Sequence, residues 1–323
     1  MMKQMPATFL LFCACYLFAF NTDDAAQELL HTAKLQANLF TDGAKPFQLD
    51  VDFVAQINAP LQGHLTLKWE SEDHWWRKIV MSDFVQVEVR NGEKQYTSRN
   101  ASFTPAKIDE LIHMLEFPKR TEESVRKTKS KVENGIEIDC LRVEGKKTVT
   151  REICMNSTSH EILRDESTLS EDEKRIERYS DYSDFQAYRY PRKFELLSNS
   201  RKIITATVTG LTLSAFDQAL FMPPQGAIER RYCKDMTAPV RVKGKIPEYP
   251  SSLNQNRVNT DNTVIFTIET DGSVSNVHLL RSSTPAMDDA MVETVKTWRY
   301  KPAMCGTEPV VSDLTMFLSR RVY

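Results

Sequence analysis

Apolar and polar residues alternate over residues 47–56, where Phe47, Leu49, Val51, Phe53 and Ala55 interleave with Gln48, Asp50, Asp52 and Gln56. A period of two places each set on its own face, so this stretch predicts a strand with one buried side. Leu65, Leu67 and Trp69 repeat the alternation after Gly63, and Val85, Val87 and Val89 repeat it again. The period lengthens to that of a helix in two places. Residues 28–40 put Leu29, Ala33, Ala37 and Phe40 on one face. Further on, Thr104 supplies a cap and Pro105 a first helical residue for a face made of Ile108, Leu111, Ile112 and Leu115. Runs at 135–143 and 148–155 flank Glu144-Gly145-Lys146-Lys147 and predict a hairpin, and more strands follow near 179–197 and 203–213. The economical fold for this part is a curved antiparallel sheet closed over helices.

The last quarter of the chain has its own pattern. Val264, Phe266 and Ile268 alternate with Thr263, Ile265, Thr267 and Glu269, which predicts a half-buried strand. Asp271-Gly272 provides the positive-φ turn of a hairpin, and residues 274–280 return. Thr284 and Pro285 then open a helix, with Asp288 and Asp289 in the first turn, where the helix dipole favours negative charge. Met287, Ala290, Met291, Val295 and Trp298 form its apolar stripe, and Lys301-Pro302 stops it. A final strand at 310–319 turns Val310, Leu314, Met316 and Leu318 inward. The order is strand, strand, helix, strand, and the whole chain reads as α+β.

The N-terminus changes the compartment. Lys3 precedes an uncharged run from residue 5 to 20, followed by Asn21, Thr22, Asp23 and Asp24. Spanning a bilayer takes roughly 20 apolar residues, so the shorter run is expected to be a cleaved signal peptide, with the mature chain starting near residues 24–28. Cys13 and Cys15 make poor lipidation sites, because bulky Phe12 precedes Cys13 and the apolar run continues after Cys15. The expected division is signal peptide 1–26, a first domain 27–232 and a tail domain 236–323. Export to an oxidising compartment makes disulfides of the four remaining cysteines. The hairpin brings Cys140 to Cys154, which leaves Cys233 for Cys305. In the chain-entropy model closing such loops contributes roughly 3 and 4 kcal/mol.

Composition narrows the partners. A formal net charge of −2 gives no basic field for nucleic acid. The residues at 116–131 carry charges of both signs and read as a solvated loop or helix end. There is no phosphate-binding glycine loop and no nucleophile elbow. The six histidines are scattered without metal spacing. His64 and His74 lie near Trp69, Trp75 and Trp76, a region that reads as aromatic core. No catalytic residue, cofactor site or metal site is therefore expected, and the chain is read as a non-enzyme.

Tyr249-Pro250, the Asp271-Gly272 hairpin, Val274-Ser275-Asn276-Val277, Arg281-Ser282-Ser283, Asp288 and Trp298-Arg299-Tyr300-Lys301-Pro302 stand in the order found in TonB C-terminal domains, which the tail resembles. One departure is Asp261-Asn262, where a glycine usually precedes the first strand. The resemblance implies a small ββαβ domain that binds a protein or extended peptide by strand addition along an exposed edge. The last strand is that candidate edge, and its outward residues Val311, Asp313, Thr315 and Phe317 are the candidate partner-binding residues. An outward Phe317 is also accounted for by homodimer packing or by cover from the first domain.

The first domain resembles the LolA and LolB lipoprotein carriers in strand order, in Tyr179-Ser180-Asp181-Tyr182-Ser183-Asp184-Phe185 followed by Tyr190-Pro191-Arg192-Lys193, and in Leu220-Phe221-Met222-Pro223-Pro224. This implies an open half-barrel whose concave apolar face would shelter an acyl chain, unless the apolar faces fill one another. The leading expectation is a periplasmic or envelope protein that docks a protein partner, with a role in transport across the envelope. The alternatives are a periplasmic lipid or lipoprotein carrier, or a TonB-like energy transducer to outer-membrane transporters. A transducer needs a retained anchor with a functional polar residue and a long spacer. Residues 5–20 hold no charged side chain, and the 227–240 linker is short.

Overall fold

The computed structural model of the chain describes residues 22–56, 59–117, 123–145, 150–170, 173–233, 235–251 and 259–320. The expected signal run at 5–20, with Cys13 and Cys15, lies outside them. Strand makes up 57% of the described residues, which are mostly β with few helices. Two compact units form. One takes the described residues up to Leu39 together with Leu111–Ala206, and the other takes Phe40–Glu110 together with Thr207–Tyr323. The tail therefore shares a unit with the early strands.

In the first unit β6 (Glu123–Glu133), β7 (Ile136–Gly145), β8 (Arg151–Asn156), β9 (Ile162–Ser170), β10 (Glu173–Phe185) and β11 (Tyr188–Ser198) pair antiparallel in sequence order. Helix α1 (Thr22–Ala37) packs on β6 and β11. It starts earlier than its pattern predicts, and Leu30, not Leu29, lies in the buried stripe with Ala26, Ala33 and Ala37. Steps of four, three and four residues keep those four on one line of the helix. The charged run at 116–131 also differs from expectation, because residues 123–131 belong to β6 and not to a solvated loop or helix end. Opposite charges facing across the strands explain this: Lys129 meets Glu152 at 3.3 Å, while Arg164 reaches Glu152 at 3.2 Å and Glu133 at 3.4 Å. Cys140 and Cys154 stand directly opposite on β7 and β8 and are bonded, as the hairpin predicts.

The second unit begins with β1 (Phe47–Gln56), β2 (Pro60–Ser71), β3 (His74–Met81), β4 (Val85–Asn91) and β5 (Lys94–Arg99), again antiparallel neighbours in order, with β13 (Ile228–Arg231) added beyond β5. All five predicted inward residues of β1 are buried, and Trp69 stacks on Phe47 at 5.2 Å. Trp75 and Trp76 depart from the core reading and are half-buried. Cations cover them instead, with Arg77 5.0 Å from the Trp75 ring and Lys68 5.4 Å from the Trp76 ring. Helix α2 (Ala106–Leu115) buries Ile108, Leu111 and Leu115 as predicted and Met114 in place of Ile112.

The tail contributes β14 (Val240–Lys243), β15 (Thr260–Ile268), β16 (Val274–Arg281), α3 (Pro285–Lys296), β17 (Arg299–Lys301), β18 (Ala303–Cys305), β19 (Glu308–Val310) and β20 (Ser312–Arg320). Three short strands thus stand between the helix and the last long strand, where a direct passage was expected. The sheet order is β16-β15-β20, with β14 paired to β17 and β18 to β19. Val264, Phe266, Ile268, Met287, Met291, Val295, Trp298 and Tyr300 make one buried core, including every inward residue predicted for β15. Thr284 caps α3, accepting from the Met287 amide at 3.4 Å.

Three tyrosines of the first unit, Tyr179, Tyr182 and Tyr190, give the fold a pH dependence. Tyr190 is fully buried and donates to the Leu115 carbonyl at 2.6 Å, and Tyr179 donates to Glu177 at 2.7 Å. Burial pushes both phenols above their ordinary range. A raised acid pKa stabilises the folded state below the unfolded value, about 10 for tyrosine, and that contribution is lost as pH climbs toward the folded value. Tyr182, which donates to the Ile162 carbonyl at 2.5 Å, is pushed up by burial in the same way. Ultraviolet titration should therefore find three phenols that ionise only on unfolding. Tyr190→Phe should leave two such phenols, lower stability by about 1 kcal/mol at neutral pH and flatten its fall above pH 10.

Candidate functional edge of the tail sheet

The tail sheet ends in β20, which pairs with β15 over Thr260↔Arg320 to Ile268↔Ser312 and, among the described residues, has no strand on its other side. Alternation then sorts its side chains. Leu314, Met316 and Leu318 pack half-buried against the core cluster, and Val310 is buried just before the strand. Of the four candidate residues, Thr315 and Phe317 are exposed, Phe317 by 58%. They sit two apart on the same face, so an aromatic ring and a hydroxyl border a row of main-chain groups that a peptide could pair with. Val311 is half-buried and lies ahead of the strand.

Asp313 is placed differently from its two neighbours on that face. Arg230 of β13 grips it with both guanidinium nitrogens, at 3.0 and 3.1 Å, and Thr267, directly opposite on β15, donates to it at 2.9 Å. Its role is thus internal. The same arrangement explains why β15 is buried on both faces, with Ile265 and Thr267 covered, although the pattern predicted a half-buried strand. The outer face meets other parts of its own unit: Phe103 lies edge-on to His278 at 5.6 Å, Arg231 pairs with Glu308, and Cys233 is bonded to Cys305 across 72 residues. Cover from earlier residues, one of the two explanations offered for an outward aromatic, holds near Asp313 but stops short of Phe317.

The frame behind the edge is fixed by polar contacts that the sequence pattern did not reveal. Asn262 was expected to stand just ahead of the strand, but it lies inside β15 and is completely buried. It donates to Asp288 at 2.6 Å and accepts from Ser283 at 2.7 Å, while Ser282 also donates to Asp288. Asp288 therefore ties the start of α3 to the central strand, beyond its favourable place in the helix dipole. At the hairpin, Gly272 has φ +79°, and a Cβ there would stand 1.9 Å from the Tyr300 carbonyl oxygen, so only glycine fits.

Other predicted sites stay apart from this edge. In the first unit a cavity of about 40 Å³ is lined by Phe117, Tyr179 and the Arg151–Asp165 pair, room for a few waters at most. Glu152 approaches Cys140 and Cys154, but those sulfurs are joined as a disulfide and the carboxylate is engaged by Lys129 and Arg164. His64 hydrogen-bonds Asp52 at 2.7 Å, and His74 lies against Phe221.

Residues 245–316 match the family model of the Gram-negative bacterial TonB protein C-terminal. Among solved structures, the TonB C-terminal domain of Pseudomonas aeruginosa is similar at 23% identity, covering 28% of this chain and 88% of that one with a TM-score of 0.24. A LolA superfamily protein from Nitrosomonas europaea is similar at 10% identity, covering 61% of this chain and 97% of that one with a TM-score of 0.40. A DUF1329 family protein from Desulfovibrio piger is also 10% identical, over 63% of this chain and 98% of that one, with a TM-score of 0.44. Both families named from the sequence recur in these matches. No curated protein matches the chain in sequence.

The Arg230–Asp313 pair is bidentate and partly shielded, a geometry in which an ion pair contributes measurably. A double-mutant cycle with Arg230→Ala and Asp313→Ala should return a coupling of about 1 kcal/mol in urea unfolding, smaller in high salt. Full additivity would mean that the clamp is decorative.

Proposed function

We propose that this chain is an exported, non-catalytic envelope protein whose tail docks a protein partner by strand addition along β20. The observation that carries the reading is the coincidence of an unpaired strand edge, an exposed Phe317 and Thr315 beside it, and a match to the TonB C-terminal family over residues 245–316, which takes in the first part of β20. An extended peptide adding there would satisfy the free main-chain groups of β20, and Phe317 would supply an apolar anchor. The ββαβ core of the tail, with its three inserted short strands, serves as the rigid support.

In this reading the antiparallel strands ahead of the tail act as a scaffold, not as an acyl-chain carrier. The small, charge-lined cavity of the first unit supports that choice. The clamp at Asp313 and the disulfide at Cys305 hold the tail to β5 and β13, as suits a fixed docking module better than a tethered arm.

Photocrosslinking on the full chain tests the edge. A crosslinking residue at position 317 should capture an envelope protein, whereas one at Glu293, on the exposed side of α3, should not. Equal capture from both positions, or capture from neither, would count against docking along β20. Sequencing the mature N-terminus is the companion measurement: a start near residues 24–28 fits export by a cleaved signal, and a retained Met1 would favour the transducer.

A further inference from the structure

β14 and β17 form a two-stranded ribbon in the register Val240↔Lys301, Arg241↔Tyr300 and Lys243↔Arg299, with a bulge between Arg241 and Lys243. Residues directly opposite in an antiparallel pair share a face, so the bulge gathers Val240, Lys243, Arg299 and Lys301 on one side. All four are exposed. Arg241 and Tyr300 take the other side, where Tyr300 is buried in the domain core and the Arg241 guanidinium lies 4.7 Å from the centre of the Trp298 ring. The ribbon thus turns an outer face of three cations and a valine to solvent.

Exposed aliphatic side chains border that face. Val240 is 59% exposed, Val242, which the register skips, 66%, and Ile246, three residues beyond the strand, 72%. The main chain that carries them is fixed to the core, because the Trp298 indole donates to the Lys245 carbonyl at 2.8 Å. Gly244, at φ +153°, passes so near the same ring that a Cβ would meet it at 2.3 Å. A segment held in this way loses little freedom when it binds, which favours binding over a frayed segment of the same sequence.

The charge of the ribbon is not neutralised from within. Among the described residues no carboxylate makes an ion pair with Arg241, Lys243, Lys245, Arg299 or Lys301. Asp271, at the hairpin that meets Arg299 through the Ser273↔Arg299 bridge, accepts instead from the Ser273 amide at 2.8 Å. Five cations therefore project a local positive field from a chain of net charge −2. Simple solvation accounts for the lysines and leaves the aliphatic side chains beside them without a role. A peptide added as a strand would read alternate positions, and the bulge breaks that alternation. A bilayer surface meets both kinds of side chain on one face, phosphates opposite cations and the headgroup boundary opposite aliphatic groups.

We propose that the outer face of the β14–β17 ribbon docks on an anionic phospholipid bilayer, with Lys243, Arg299 and Lys301 against lipid phosphates and Val240, Val242 and Ile246 at the headgroup boundary. The face is distinct from the edge of β20, so the two readings stand or fall separately.

Vesicle flotation of the full chain, as purified from the envelope, tests the proposal. Partitioning to phosphatidylglycerol vesicles should exceed that to phosphatidylcholine vesicles by about tenfold or more and should weaken as salt rises. The double variant Lys243→Glu/Lys301→Glu should weaken it by about tenfold or more, and Val242→Ser/Ile246→Ser should also weaken it, while Val132→Ser, at an exposed aliphatic residue of the first unit, should not. Urea unfolding of these surface variants should match that of the parent, which separates lost binding from lost folding. A fluorescent residue at position 242 should be quenched by brominated phosphatidylglycerol, whereas one at position 132 should not, a readout that attraction at a distance would not give. Equal partitioning to the two lipids, indifference to the charge reversals, or an unquenched probe at 242 would overturn the proposal. So would binding of oligoglutamate without binding of phosphatidylglycerol vesicles, which would assign the cations to an acidic protein segment.

Discussion

The tail of this protein depends on the burial of a single indole. Trp298 is wholly inaccessible, packs edge-on against Phe266 of the central strand at 6.0 Å, and spends its one hydrogen bond on the Lys245 carbonyl. Burying such a ring removes a large apolar area from water, and its N–H must find a partner when it does so. Because that partner is the main chain just after β14, the same event that seats α3 on the sheet also draws the segment preceding Tyr249 onto the domain. The need for glycine at residue 244 follows from this close approach. Tyr300 then extends the anchoring to the hairpin, its amide donating to the Gly272 carbonyl at 2.9 Å. Helix, hairpin and the strand ahead of the domain thus converge on one short stretch, Trp298-Arg299-Tyr300.

The second constraint is the clamp on the outer face of the sheet. A three-stranded sheet with a helix on one side leaves the other side to water unless something covers it. Here Arg230, Phe103 and the Cys233–Cys305 bond do so at one end, which is why Thr267 and Ile265 are buried on the side opposite the core. The cover divides β20 into two parts. Its beginning, at Asp313, is committed to internal contacts, and its later half, at Thr315 and Phe317, is exposed. A bidentate pair holding a buried-face carboxylate also explains why a charge is tolerated opposite Thr267 at the centre of the sheet.

Much of this was legible in the residues because the signals were local. The alternation of β1, the Asp271-Gly272 turn, the Thr284-Pro285 helix start and both disulfide pairings follow from spacing within a few residues or from counting four cysteines. The failures have a common physical origin in long-range partners. Most of residues 123–133 looked like solvated loop because their cations find carboxylates on β8, a neighbour that no local window contains. Asn262 looked like a residue ahead of the strand because its partners at Ser283 and Asp288 arrive from the far end of the hairpin. Asp313 looked outward and available because Arg230 lies 83 positions away. For β14 four residues, with a bulge between Arg241 and Lys243, are too few to separate a strand from a linker until the Trp298 indole is seen to hold the Lys245 carbonyl just beyond them.

These long-range polar contacts share a character that bears on function. Apolar burial explains why the strands and helices form, yet it leaves open where their edges stop, since any unpaired edge can in principle accept another strand. The polar contacts decide that question: the pair at Asp313 removes one stretch of β20 from use, and the Ser273↔Arg299 bridge closes the far side of β17. Among the described residues the later part of β20 is one of the strand edges left unpaired, and β16, the other outer strand of the tail sheet, is another.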